Sequence, residues 1–409
     1  MRATIIIILI ALTAATRVCG QGTRMYSGRI IDNETSSPLP FASISIKGKA
    51  TGTVANESGE FDFFVREQFY RDTLMISHIG YKTFLKCIAD LQGKDLTIRL
   101  SVMPIALKEI TIIEKMLSAR DIIAKAVKSL RENYPAEPYC LEGFFREIEE
   151  ENGRYVFLTE AAVDIYDRKF DGRRKKLIQE SIHIREMRRS LRLGERKNDN
   201  IGYALADLIE NNDVRYNRGT LDTLANSFEM DTITSYQGRI VYQISVSNGT
   251  DRGYLYVDAE TFGILKVISE RKSREPDKPY YWINGLSDSL KLGRKWFIFS
   301  VEFEPYKGKL YAKRMHESEE NVTYYTHDGK TKTTSIETLE FITTRIHEHR
   351  ENKLARNLRY GLKLDDVPYH EDFWKNFNAF KPTPLNKRLI NDLEREVSLQ
   401  EQFRTVPGK

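Results

Sequence analysis

Short alternating runs open the chain. In FASISIKG, Ala42, Ile44 and Ile46 fall on one side and Ser43 and Ser45 on the other, the period of a half-buried strand. SGRIID, GTVANESGEFDFFV, DTLMISHIGYKTFLKCI and DLTIRLSV continue the pattern, with turn residues between them. Strands this short and this regularly spaced predict a small antiparallel β-sandwich over residues 26–113. GTVANESGEFDF, Gly52–Phe63, is rich in glycine and small polar residues. A phosphate-holding loop would feed a helix N-terminus and carry Lys-Ser/Thr. This one feeds an alternating strand, so it reads as hairpin scaffold, with Gly59 where a tight turn needs positive φ.

At residues 114–136 the period changes. Ile122, Ile123, Ala126, Val127 and Leu130 keep helical spacing, Ser118 can cap them, and Asn133-Tyr134-Pro135 ends the run. One amphipathic linker helix is predicted. Residues 137–350 then read mainly as long strands. LEGFFREIEEENGRYVFLTEAAVDIYD is a hairpin turning at Asn152-Gly153. The stretch Gly238–Ser273 gives three strands, with turns at Asn248-Gly249 and Asp258–Thr261. Trp296–Ile346 gives four more, turning at Lys307-Gly308 and Asp328-Gly329. Ile201–Asp213 is the clear internal helix. The fold class is mainly β, α+β, with a large antiparallel sheet that would curve around an apolar lumen. The tail, residues 351–409, carries Tyr369, Phe373, Trp374, Phe377 and Phe380, then Pro382 and Pro384, then a helix near Leu385–Phe403. Its aromatics are expected to clamp the tail on the body, with partner recognition as the alternative.

The first residues change the compartment. Arg2 is followed by an apolar run, Ile5–Leu12, too short to span a bilayer, and Val18 and Gly20 suit a signal peptidase site. Residues 1–20 therefore read as a signal peptide. A membrane anchor is interrupted by Thr13, Thr16 and Arg17, and a lipoprotein site at Cys19 is disfavoured by Arg17. Removing the segment takes net charge from +5 to +3, 61 basic against 58 acidic residues, a balance that does not indicate nucleic acid. The basic runs Arg173–Lys176 and Arg185–Lys197 read as solvated strand or loop, with an anionic-surface contact as the alternative. Cys87 and Cys140 remain, as buried thiols or as one bridge.

The N-terminal pattern also carries a resemblance. Gly28, Asp32, Pro38–Ala42, Gly52, Thr53, Asn56, Gly59, Phe61, Leu74, Ser77, Gly80, Tyr81 and Leu100 together resemble the carboxypeptidase regulatory-like domain, with Asn56 where an Asp is commoner. The resemblance implies a transthyretin-like sandwich of about seven strands that accompanies carboxypeptidases without cutting peptides. Ala106–Ile112 is similar to the segment that follows this domain in TonB-dependent outer-membrane transporters. Gly253–Asp258 with Thr261 and Ile264 resembles the outer-membrane lipoprotein carrier and sensor superfamily, which implies a half-barrel with an apolar cavity. The larger domain is also similar to envelope proteins that pair it with the regulatory-like domain. Together these imply a Gram-negative envelope protein, periplasmic or outer-membrane associated.

No catalytic, cofactor or metal constellation emerges. His183–Glu186 has the H-x-x-E spacing of a zinc site, but it lies in an apparent strand and lacks a third ligand. His347 and His349 sit on one side of a strand end, and His370-Glu371-Asp372 suits helix capping. There is no G-x-S-x-G, P-loop or Rossmann fingerprint. Carboxylate runs such as Glu149-Glu150-Glu151 and Glu319-Glu320 select no acid/base pair. The expectation is a non-enzymatic, secreted envelope protein without cofactor. Its sandwich is an adaptor, and its larger domain binds an apolar ligand, a lipid anchor or a protein partner. A small outer-membrane β-barrel and a hydrolase with dispersed catalytic residues are the alternatives. A TonB-linked transporter is excluded by length.

Overall fold

The computed structural model describes residues 22–103, 117–167, 182–193, 201–216, 219–222, 225–249, 251–273, 279, 281–287, 289–348, 367–375, 377 and 386–405. The signal segment, Ala106–Ile112, Arg173–Lys176, His349 and Phe380 lie outside them.

Seven strands build the N-terminal unit. β1 (Thr23–Asp32), β2 (Ser43–Ile46), β3 (Gly52–Val54), β4 (Glu60–Arg66), β5 (Thr73–Ser77), β6 (Phe84–Cys87) and β7 (Leu96–Leu100) form two sheets, ordered β4-β1-β7 and β3-β2-β5-β6. Ile44, Ile46, Phe61 and Phe63 are fully buried between them, as the alternation predicts. One pair departs from the antiparallel expectation: β1 and β7 run parallel. The Gly52–Phe63 stretch is scaffold. Asn56 Oδ1 accepts from the backbone N–H groups of Ser58 and Glu60, both at 2.9 Å. Gly59 turns at φ +72°, where a Cβ would lie 2.4 Å from the Ile30 carbonyl oxygen.

After the sandwich come α1 (Ala119–Lys128) and α2 (Leu130–Asn133), two helices where one was expected. The chain leaves helical geometry at Ser129. Ser118 caps α1 in a reciprocal box with Asp121, and Ile122, Ile123, Ala126 and Leu130 bury the predicted face.

The large sheet has eleven strands. They are β8 (Tyr139–Glu151), β9 (Arg154–Asp167), β10 (Ile182–Arg189), β11 (Ser227–Tyr236), β12 (Arg239–Ser247), β13 (Asp251–Asp258), β14 (Ile264–Lys272), β15 (Tyr281–Ser287), β16 (Leu290–Tyr306), β17 (Lys309–Tyr325) and β18 (Thr331–Glu348). The order is β10-β9-β8-β18-β17-β16-β14-β13-β12-β11, with β15 beside β16. Trp296–Ile346 thus holds three long strands, not four. Asn152-Gly153 and Lys307-Gly308 both turn with positive φ at each residue, as does Gln237-Gly238, the geometry of tight hairpins.

Register makes the two faces opposite in character. Met187, Ala161, Phe145, Phe341, Met315, Val301, Val267, Leu255, Ile244 and Met230 are successive cross-strand partners from β10 to β11. This apolar row lies in the main core, under α1 and under α3 (Ile201–Asn212), which contributes Leu205, Leu208 and Ile209. We call it the helix face.

The other face carries charge. Arg188 Nε meets Glu160 at 2.6 Å, Arg146 meets the same carboxylate at 2.5 Å, Arg314 Nε meets Glu340 at 2.7 Å, and Lys266 Nζ meets Glu302 at 2.7 Å. Arg146 pairs with Glu340 in register, and Arg314 with Glu302. Seven neighbouring strands thus carry an unbroken ladder of alternating sign. Burial raises the pKa of Glu160, but Arg188 and Arg146 outweigh it and hold the group at about 2. Its contribution to stability is complete above the ordinary carboxylate range and is lost as pH falls from about 4.5 toward 2.

The sandwich and the tail cover this ladder. Phe41 lies 3.7 Å from the Arg314 guanidinium, Ser43 Oγ donates to Glu304 at 3.4 Å, and Ile346 N–H donates to the Ala50 carbonyl at 3.1 Å. This docking explains why Ser43 and Ser45, polar positions of an alternating strand, are buried. In the tail are α4 (Glu371–Lys375), α5 (Asn386–Leu393) and α6 (Leu399–Thr405). The single expected C-terminal helix is two, α5 ending at Leu393 and α6 starting at Leu399, and between them the Leu393 and Val397 carbonyls accept from Gln402 Nε2. Trp374 packs with Phe144, Ile342 and Val54, joined by Tyr369, Phe373 and Phe377, so the aromatics clamp the tail as expected.

The β-barrel alternative does not survive this arrangement. One face is filled by helices and the other is charged and covered, so neither is a lipid-facing surface. No described helix is long and apolar enough to cross a membrane. Arg146→Met should cost about 3–5 kcal/mol in denaturant unfolding, the range for stripping one partner from a buried ion pair. A change below about 1 kcal/mol would show that the ladder is passive.

Candidate functional site

The helix face does not stay apolar to the strand ends. Two residues beyond the Phe145–Phe341–Met315 row lie Glu147 and Glu317, on either side of Leu339. One step further, Glu149, Glu337 and Glu319 are consecutive partners on β8, β18 and β17. Three carboxylates directly across strands destabilise a sheet. Arg192 on Glu149 and Arg294 on Glu319 offset part of that repulsion, and local conflicts of this kind are expected at functional positions.

They line an open cavity of about 430 Å³ beyond α3, with Leu290, Leu292, Asn321 and Glu151. Glu147 and Glu149 are each 5% exposed. Two arginines brace the wall. Arg192 grips Glu149 through both terminal nitrogens at 2.5 and 2.9 Å, and Arg294 Nη2 meets Glu319 at 2.6 Å. Between cavity and core sits Glu317, held by Asn211 Nδ2 of α3 at 3.0 Å. Burial first, then Glu319 and Asp207, push its pKa to about 8, against the opposing Asn211 bond and Arg294.

The residues singled out from sequence do not converge here. His183 and Glu186 are separated by a β-bulge between Ile184 and Glu186. His183 faces Asp164, Nδ1 to Oδ2 3.6 Å. Glu186 instead anchors the tail, accepting from the His370 N–H at 2.9 Å and lying 2.6 Å from its Nδ1. His370 therefore belongs to the start of α4. His347 Nε2 lies 2.7 Å from Glu142 at the far end of β18. Cys140 is buried, Cys87 is half-buried, and no disulfide joins them. The acidic cavity was missed, although a signal was present: Glu147, Glu149 and Glu151 repeat with period two, as do Glu317 and Glu319.

Comparison with known proteins covers the chain unevenly. Residues 26–112, the sandwich, match the family model of the CarboxypepD_reg-like domain. No curated protein matches the chain. Among solved structures, it is similar to a domain described as an outer membrane lipoprotein-sorting protein domain from Vibrio parahaemolyticus, at 11% identity over 59% of this chain and 95% of the other, TM-score 0.24. A DUF1329 family protein from Desulfovibrio piger ATCC 29098 gives 11% identity over 58% and 95%, TM-score 0.23. A protein of unknown function from Bacteroides fragilis NCTC 9343, described as membrane-associated, gives 10% identity over 80% and 99%, TM-score 0.16. Superpositions this loose carry no argument.

The raised pKa of Glu317 has a definite sign. The folded state holds a proton that the unfolded state releases near the ordinary carboxylate range, so stability falls as pH rises from about 4.5 to about 8. Glu317→Gln should raise Tm by about 4 °C at pH 9 and shift it by under about 1 °C at pH 4. Equal shifts at both pH values would contradict a protonated Glu317.

Proposed function

We propose that the protein is a non-catalytic binding protein of the cell envelope, with the sandwich as a docked adaptor and the acidic mouth of the helix face as the ligand end. The single observation carrying this is the cavity itself. It offers Glu149, Glu150, Glu151, Glu319 and Glu337 against one lysine, Lys332, beside Leu290 and Leu292, the surface for a cationic, partly apolar segment. Of the three ligands expected from sequence, a protein partner fits it best. The apolar part of the helix face is already covered by α1 and α3, which leaves little for an acyl chain. The envelope location rests on the N-terminal apolar segment and on the regulatory-like sandwich.

A hydrolase finds one favourable observation, the high pKa of Glu317. A general acid must reach its substrate, and Glu317 is buried beneath Asn211. Catalysis is therefore not part of the reading.

A short alternating Lys/Leu peptide, labelled for fluorescence anisotropy, tests it. Binding should weaken about tenfold on Glu151→Lys, a loss of about 1.4 kcal/mol, and should also fall with added salt. Leu292→Lys should weaken it similarly. Affinity indifferent to both variants and to salt would contradict the proposal.

A further inference from the structure

We propose that the cleft between the sandwich and the large sheet is a second binding site, for a small organic phosphate. It lies on the sandwich side of the sheet, away from the acidic mouth, and does not depend on the reading of that mouth. The cleft holds about 320 Å³, within the range of small-ligand sites. The Gly48–Gly52 hairpin of the sandwich forms one wall, and the ends of β16, β17 and β18 form the other. The hairpin is tied to β18, where the Ala50 carbonyl accepts from Ile346 N–H at 3.1 Å and Thr51 bridges to Arg345. Lys49, Lys307, Lys313 and Arg345 line the space against a single carboxylate, Glu304.

Two buried polar groups meet in it. Ser45 and Gly52 are cross-strand partners on β2 and β3, so side chains at the two positions leave the same face. A Cβ on Gly52 would lie 2.6 Å from Lys313 Nζ and 3.1 Å from Ser45 Cβ. The glycine therefore leaves both groups facing one space. Ser45 is 4% exposed, and its Oγ has no hydrogen-bond partner. Lys313 is 5% exposed. Its ammonium reaches Glu304 and the Thr343 carbonyl, each at 3.3 Å, longer than charge-assisted bonds normally run. An ammonium has three protons to donate. An orphaned buried hydroxyl is costly, and one anionic oxygen between Ser45 and Lys313 satisfies both.

The surroundings select the ligand. Lys307 is already held by Glu348, but two other cations are weakly committed. Arg345 comes only to 3.8 Å from Glu142, a carboxylate that also lies 2.7 Å from His347 Nε2. Lys49 Nζ sits 6.0 Å over the Phe69 ring, a contact that does not neutralise its charge. At the centre the donors are an ammonium and a hydroxyl from opposite walls, not one planar guanidinium fork. That arrangement suits the tetrahedral oxygens of a phosphate better than a flat carboxylate. Met75, Pro305, Tyr306 and Tyr311 line the rest of the cleft, a surface for a compact aromatic or apolar substituent. A phosphate monoester fits both halves.

Phenyl phosphate titrated into the full chain by calorimetry tests the proposal. The expected result is one ester per chain, weakened by added salt, with phenol giving no heat. Ser45→Ala should weaken binding at least about tenfold and leave the melt unchanged, because the hydroxyl it removes has no partner in the free protein. Lys49→Gln, at an exposed position, should weaken binding without affecting the fold. No heat at millimolar phenyl phosphate overturns the site, as does binding that neither variant weakens. Vesicles of phosphatidic acid identify the source of the phosphate. Cosedimentation that Ser45→Ala lowers assigns a lipid headgroup, and ester binding without cosedimentation assigns a free metabolite; both uphold the site.

Discussion

Side chains of a strand point alternately to its two faces, and in the large sheet that alternation stays in phase across ten strands. The consequence is a continuous apolar row from Met187 to Met230 on one face. The charged ladder from Arg188 to Lys266 occupies the other. A slip of one residue anywhere between β10 and β14 would drive an arginine or a glutamate into α1 and α3. Register is therefore held by the cost of burying the wrong face, and the bulges at Ile184/Glu186, Arg294/Trp296 and Thr343/Arg345 adjust the sheet without breaking that phase.

The ladder also decides what can cover the sheet. A buried run of charges needs partners that satisfy it without adding net charge. The sandwich supplies aromatic and small polar contacts, Phe41 on Arg314 and Ser43 on Glu304. It also brings Glu57, whose pKa is raised by burial and by Glu340, with Arg314 and Arg146 opposing. The tail brings Trp374 to 4.5 Å over the Arg188 guanidinium, a cation–π contact that neutralises nothing and still shields the charge. Sandwich, tail and sheet meet at Phe144, so the N-terminal and C-terminal parts of the chain close over the charged side, while α1 and α3 cover the helix face.

Much of this is legible in the amino-acid sequence. Alternation marked the short strands of the sandwich, the family resemblance implied about seven of them, and Asn152-Gly153 and Lys307-Gly308 located two hairpins, because these turns need residues that tolerate positive φ. The Ser118 cap was readable for the same kind of local reason. What sequence could not supply were facts set by partners far along the chain. Ser43 and Ser45 look like a solvent face until Glu304 and its neighbours arrive. The H-x-x-E spacing of His183 and Glu186 reads as a ligand pair until a bulge parts them and His370 takes Glu186. Glu149, Glu337 and Glu319 lie in three separate segments, and only the strand order β8-β18-β17 makes them neighbours.

The central claim is that a cationic ligand binds at the acidic strand ends of the helix face, while the sandwich side is no part of its site. Hydrogen exchange on the full chain, with and without a saturating cationic amphipathic peptide, tests this most directly. The account predicts added protection confined to Glu147–Glu151, Glu317–Thr323 and Thr333–Glu337, with the sandwich unchanged. Protection centred on β2, β3 or the Gly48–Gly52 loop, with the strand ends unaffected, would contradict it.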